Sequence, residues 1–164
     1  MNLGSVNLRE ATAQDIDLLQ AAGLEAMNWT GEARFTAQEL MSDPELSKYL
    51  KDWPRPNDFG AIAETFDGIG VGAAWCRMFT EEDAGYGFVA ADIPELTIGV
   101  LPGHRGAGIG TALLERLIAL ASTRGLRAMS LSVEDGNPAR PLYERLGFSK
   151  VRRNGGADTL QLDF

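Results

Sequence analysis

Nothing in the chain restricts its fold more than residues 96–114, Leu-Thr-Ile-Gly-Val-Leu-Pro-Gly-His-Arg-Gly-Ala-Gly-Ile-Gly-Thr-Ala-Leu-Leu. The aliphatic and β-branched run up to Leu101 reads as a strand, and Pro102-Gly103 reads as a turn. Gly106, Gly108 and Gly110 then strip the side chains from a loop that runs into a helix. Leu113, Leu114, Leu117, Ile118 and Ala121 recur at helical spacing, Glu115, Arg116 and Arg124 lie off that face, and Gly125 closes the helix. Residues 129–133 form the next strand, so strand, helix and strand make a parallel crossover. Bare N–H groups at a helix N-terminus, where the dipole is positive, hold phosphate. The stretch therefore predicts a ligand carrying phosphate or pyrophosphate.

The flanking sequence predicts antiparallel elements on both sides of this unit. Residues 6–9 read as a short strand. Thr12 reads as an N-cap with Asp15 three residues later, and Ile16, Leu19, Ala22 or Gly23, and Met27 carry a helix to residue 27. A polar helical region spans residues 36–50, interrupted near Asp43-Pro44. Residues 59–66 and 69–79 form a hairpin about Asp67-Gly68. After the crossover come a turn at Asp135-Gly-Asn-Pro138, a short helix over residues 139–146 ended by Gly147, and strands at 148–153 and 159–164 around Asn154-Gly-Gly156. No repeat or linker divides the sequence, so the expectation is a single mixed α/β domain over residues 1–164.

Charge and composition narrow the partners. The chain has 15 Lys and Arg against 23 Asp and Glu, a net charge of −8, which argues against general nucleic-acid binding. Cys76 has no cysteine to pair with and lies in an apolar run, so it reads as a packed strand residue in a protein suited to a reducing cytoplasm. A single histidine, His104, excludes most metal-site spacings, and no metal is expected. With no N-terminal apolar segment and no long apolar run, neither a signal peptide nor a membrane span is expected.

The glycine loop fits two familiar phosphate motifs poorly. A P-loop needs Lys after its final glycine, and Ile109 follows Gly108. A dinucleotide fingerprint needs a third glycine where Thr111 stands, and too little chain follows for a doubly wound sheet. A turn serving only tight strand–helix packing is the remaining structural alternative. By contrast, Arg105-Gly-Ala-Gly-Ile-Gly110 resembles the Arg/Gln-x-x-Gly-x-Gly/Ala signature of the GNAT N-acetyltransferases. Val100-Leu-Pro-Gly-His-Arg105 is similar to that family's lead-in, and Asn137-Pro-Ala-Arg-Pro-Leu-Tyr-Glu-Arg-Leu-Gly-Phe148 to its second motif. The resemblance covers residues 95–151; the first 90 residues carry no comparable signature.

That resemblance implies a mixed, mostly antiparallel sheet of about seven strands with flanking helices. Its central strands would splay apart between Leu101 and Val133. It implies acetyl-CoA as co-substrate, and acetyl transfer to a primary amine by direct attack in a ternary complex. A non-catalytic acyl-CoA-binding sensor or interaction module on the same fold is the rival reading. Backbone N–H groups of Arg105, Gly106, Ala107, Gly108, Ile109, Gly110 and Thr111 would hold the pyrophosphate. Val100 and Leu101 would offer backbone to pantetheine, and the Val100 N–H would polarise the thioester. Asn137 would contact pantetheine or cap the short helix, and Tyr143 would protonate the departing thiolate.

Glu95 is the leading base, with a structural strand-edge role as the alternative. Strand alternation puts it on one face with Thr97 and Gly99, where Gly99 would leave room for the acetyl group. Trp29, Phe35, Tyr86 and Phe88 are candidate acceptor walls. Glu81-Glu-Asp83 reads either as a lure for an amine or as a solvated loop. The acceptor, a small-molecule or peptide amine, stays open, as does a homodimer.

Overall fold

The computed structural model describes residues 6–164. After strand β1 (Val6–Glu10), a 3-10 turn (Ala13–Asp15) leads into helix α1 (Ile16–Met27). Thr12 starts this turn with a full capping box: Asp15 accepts from the Thr12 N–H at 2.7 Å. Arg9 grips the same carboxylate at 2.8 and 2.7 Å, tying the cap to β1 and holding Asp15 below the usual carboxylate range. A second capping box, Thr36 with Glu39, opens α2 (Ala37–Ser42), and Asp43 caps α3 (Pro44–Ser47). Pro44 divides the two because it supplies no N–H to continue α2.

The remaining elements are β2 (Phe59–Thr65), β3 (Gly70–Arg77), β4 (Glu95–Val100), α4 (Ile109–Thr123), β5 (Ala128–Glu134), α5 (Arg140–Arg145), β6 (Ser149–Asn154) and β7 (Ala157–Asp163). All seven strands join one sheet in the order β1-β2-β3-β4-β5-β7-β6, antiparallel at every step except β4–β5. Leu113, Leu114 and Leu117 of α4 pack on one face with Leu96 and Met129. Leu19 and Ala22 of α1 pack on the other with Ile62, Ala73 and Trp75. Among the described residues no helix is long and apolar enough to cross a membrane.

Two details of β4 position everything that follows. It pairs with β5 only at Glu95 and Ser130, and beyond that point the strands part. The Leu101 N–H donates to Val71 O of β3 at 2.8 Å, so by strand parity the backbone groups of Ile98 and Val100 turn the other way, into the gap. The second detail corrects an expectation. Glu95, Thr97 and Gly99 do share a face, but the space at Gly99 belongs to α1: a Cβ there would lie 2.7 Å from the Ala22 carbonyl carbon. Gly99 lets a helix backbone close on the sheet, so the space its missing side chain frees is taken by α1.

Candidate active site

At the point where β4 and β5 part, the Glu95 side chain is buried, with 4% of its surface exposed. Tyr49, just beyond α3, donates its hydroxyl proton to Glu95 Oε2 at 2.7 Å. The same hydroxyl accepts the Tyr86 N–H at 2.7 Å. Glu95 Oε1 has no partner, and it is the one such buried side-chain nitrogen or oxygen among the described residues. Burial pushes the Glu95 carboxyl up to about 7, against the lowering effects of the Tyr49 hydrogen bond, the nearby Gly87 N–H and the Lys48 charge. Gly85 passes so close to Oε1 that a Cβ there would collide with it.

The segment between β3 and β4 is fitted around this carboxylate. Lys48 anchors it by donating to Ala84 O at 2.9 Å and pairing with Asp83 at 3.0 Å. Ser130 Oγ donates to Gly87 O at 2.7 Å, and Gly87 lies against the β5 backbone at Leu131 and Ser132. Asp83 is thus spent on Lys48, while Glu81 and Glu82 are exposed and line no part of the cavity below.

One cavity of about 640 Å³ runs through the gap. Of the residues singled out from sequence, it brings together Trp29, Phe35, Tyr86, Glu95, Val100, Arg105, Gly110, Asn137 and Tyr143. Gly106, Ala107, Gly108, Ile109 and Thr111 form the adjoining loop and first turn of α4. Gly106 (φ +74) and Gly108 (φ +80) adopt the left-handed conformation that glycine alone takes freely. No side chain caps α4, and Ala107 and Ile109 turn their side chains into the core, which leaves backbone at the loop surface.

Besides the loop residues, two more expected residues fall outside the cavity. Both backbone groups of Leu101 are used inside the chain, its N–H on Val71 and its carbonyl on the His104 N–H. Phe88 is half-buried away from the cavity, and its carbonyl accepts from Arg152 at 2.9 Å. Asn137 accepts the Ala139 N–H at 2.9 Å in the turn before α5, which starts at Arg140, so it shapes that turn and is not the N-cap. Tyr143 stacks edge-on against Phe148 at 6.1 Å, and burial pushes its hydroxyl up to about 12.

The structure adds residues that the sequence did not single out. Arg34 reaches from the loop after α1 to Glu134 at the end of β5, at 3.1 and 2.8 Å, and holds Glu134 below the usual carboxylate range. Trp29 Nε1 donates to the same Glu134 carboxylate at 3.1 Å. Asn28 staples the loop by exchanging two 2.9 Å hydrogen bonds with the Phe35 backbone. Arg105 pairs with Glu25 of α1 and donates to Val100 O at 3.2 Å. The Arg34–Glu134, Trp29–Glu134 and Arg105–Glu25 partners lie 100, 105 and 80 residues apart, and no local pattern marks them.

Residues 24–148 match the family described as Acetyltransferase (GNAT) family. The chain belongs to this family. Among its GNAT relatives, the [Ribosomal protein bS18]-alanine N-acetyltransferase of Haemophilus influenzae is 41% identical over 54 residues, covering 33% of this chain and 37% of the relative. The streptothricin acetyltransferase of Streptomyces lavendulae is 32% identical over 138 residues, covering 73% of this chain and 65% of the relative. The chain therefore spans less than two thirds of either relative. The PaiA N-acetyltransferase of Thermoplasma acidophilum, solved in complex with coenzyme A, superposes with a TM-score of 0.72 at 16% identity, over 98% of this chain and 99% of that one. The seven-stranded, mostly antiparallel sheet with flanking helices is thus a GNAT fold.

Proposed function

We propose that the chain transfers an acetyl group from acetyl-CoA to a primary amine within a ternary complex. The reading rests on one observation above all: β4 and β5 part directly beyond Glu95, and the glycine loop closes the far end of the gap. A pyrophosphate fits that loop because nothing lies within 4 Å of a Cβ built on Gly106. The first turn of α4 also offers N–H groups without a capping side chain. When bound, acetyl-CoA supplies the acyl group as an activated thioester.

The chain's own residues provide position and proton transfer. Val100 and Ile98 present backbone into the gap, where they pair with amides of the pantetheine arm. The Val100 N–H is aimed to polarise the acyl carbonyl. The Glu95 carboxylate receives the proton of the incoming ammonium; a carboxyl near 7 is partly ionised at neutral pH and strong enough as a base to do so. Tyr143 stays protonated at neutral pH, gives its proton to the leaving sulfur, and is restored by the second proton the nitrogen loses as the amide forms. Holding both substrates in one cavity supplies the proximity.

The test is calorimetric titration with acetyl-CoA alongside a thiol-release assay over an amine panel. Micromolar binding with release on at least one amine is expected. Binding without release on any amine returns the acyl-CoA-binding module, and absence of binding removes both readings.

A further inference from the structure

We propose that the acceptor is a small primary amine on an aromatic or aliphatic skeleton, with no carboxylate on the carbon that bears the nitrogen. The inference rests on the acetyl-transfer reading and concerns the same cavity. Its acceptor end is walled by Trp29, Phe35, Tyr49 and Tyr86. Five charged side chains line the cavity: Glu25, Arg34, Glu95, Arg105 and Glu134.

Both cations already have a carboxylate partner. Arg34 spends its guanidinium on Glu134 at 3.1 and 2.8 Å and on Met27 O at 2.5 Å, and lies over the Trp29 and Phe35 rings at 5.7 and 5.5 Å. Arg105 is committed to Glu25 and to Val100 O. The lining residue with an unused acceptor atom is Glu95, whose buried Oε1 has no hydrogen-bond partner. An ammonium entering here is drawn by the Glu95 and Glu134 charges and meets aromatic faces. A second carboxylate would give up its water beside Glu95 and Glu134 and would have to compete with Glu134 or Glu25 for a cation already paired.

The acceptor end is also bridged from two sides. Arg34 and Trp29 tie the loop after α1 to Glu134 of β5. Arg152 and Asn154 of β6 tie the segment before β4 through Phe88 O at 2.9 Å and Tyr86 O at 3.4 Å. These ties favour a compact acceptor over a polypeptide.

The experiment compares matched pairs with acetyl-CoA: tyramine and tyrosine, tryptamine and tryptophan, isoamylamine and leucine. A tetrapeptide amide with a free N-terminus is run beside them, and thiol release is the readout. The amine of each pair is expected to exceed the amino acid by at least about tenfold in kcat/KM. Glu134→Gln releases Arg34 to meet a carboxylate and is expected to narrow that ratio at least about threefold. Equal or faster turnover of the amino acids or the peptide overturns the proposal. So does a ratio unmoved by Glu134→Gln, or acetyl-CoA binding with no release from any of these acceptors. Failure to bind acetyl-CoA at all overturns the acetyl-transfer reading, and this proposal with it.

Discussion

The Tyr49 hydroxyl gives its one proton to Glu95 Oε2, while Oε1 of the same buried carboxylate has no hydrogen-bond partner. The hydrogen bond favours the ionised carboxylate and opposes the burial that drives the group up to about 7. Tyr49→Phe removes that opposition, so the acidic limb of the pH–rate profile moves to higher pH. Turnover is expected to fall about tenfold at pH 6.5 and much less at pH 9. A uniform loss across the pH range would exclude this positioning role.

Glu95→Gln removes the base and is expected to lower kcat by about 10² or more. The same variant has a stability signature of known sign. The folded carboxyl sits at about 7 against 4.5 for the free group, so the folded state binds its proton more tightly. Its stabilising contribution is complete below pH 4.5, is lost as the pH rises to about 7, and stays lost above. The shift is worth roughly 3 kcal/mol, so denaturant titrations should find Glu95→Gln more stable than the parent at pH 8 and the difference closing at pH 4.

Tyr143→Phe keeps the ring against Phe148 and deletes the proton donor. A fall in kcat of about 10² is expected, with coenzyme A affinity within about threefold of the parent. Unchanged kcat would remove Tyr143 from the chemistry.

Gly108→Asp places a carboxylate at the left-handed N-cap of α4, where the pyrophosphate is proposed to lie. Coenzyme A affinity should drop at least about 100-fold by calorimetry, while far-ultraviolet dichroism shows an intact fold. Unaltered affinity would take the phosphate assignment off this loop.

Gly99→Ala tests packing alone. The added Cβ meets the Ala22 carbonyl carbon at 2.7 Å, backbone against backbone, so no side chain can turn aside. The expected cost is about 2–3 kcal/mol, read as a fall in Tm of roughly 5–10 °C.

What the sequence revealed of the fold came from local chemistry. The glycine loop, the Thr12–Asp15 capping box and the leucine face of α4 each act over a few residues, and each is legible in the chain. Glu95 was legible as a carboxylate on the central strand, because alternation assigns its face. Tyr49 was not, because its role depends on α3 arriving beside β4 from 46 residues away. Arg34 and Glu134 are separated by 100 residues, and neither has a neighbour that marks it. Gly99 carries the same lesson in reverse. Its missing side chain read as space for a ligand, and only the path of α1 shows who occupies it. Leu101 and Phe88 differ from their neighbours Val100 and Tyr86 in orientation, which depends on the register with β3 and on the turns of an irregular segment.

The parting of β4 from β5 also has a mechanical meaning. Strands β1–β4 and β5–β7 are half-sheets joined at a single residue pair, Glu95 with Ser130. On the acetyl-transfer reading, the pantetheine arm occupies the place of the missing pairing and knits the halves together. The protein's resistance to proteolysis then becomes a gauge of its own donor: a hundredfold excess of acetyl-CoA over its Kd adds about 2.7 kcal/mol to the folded state.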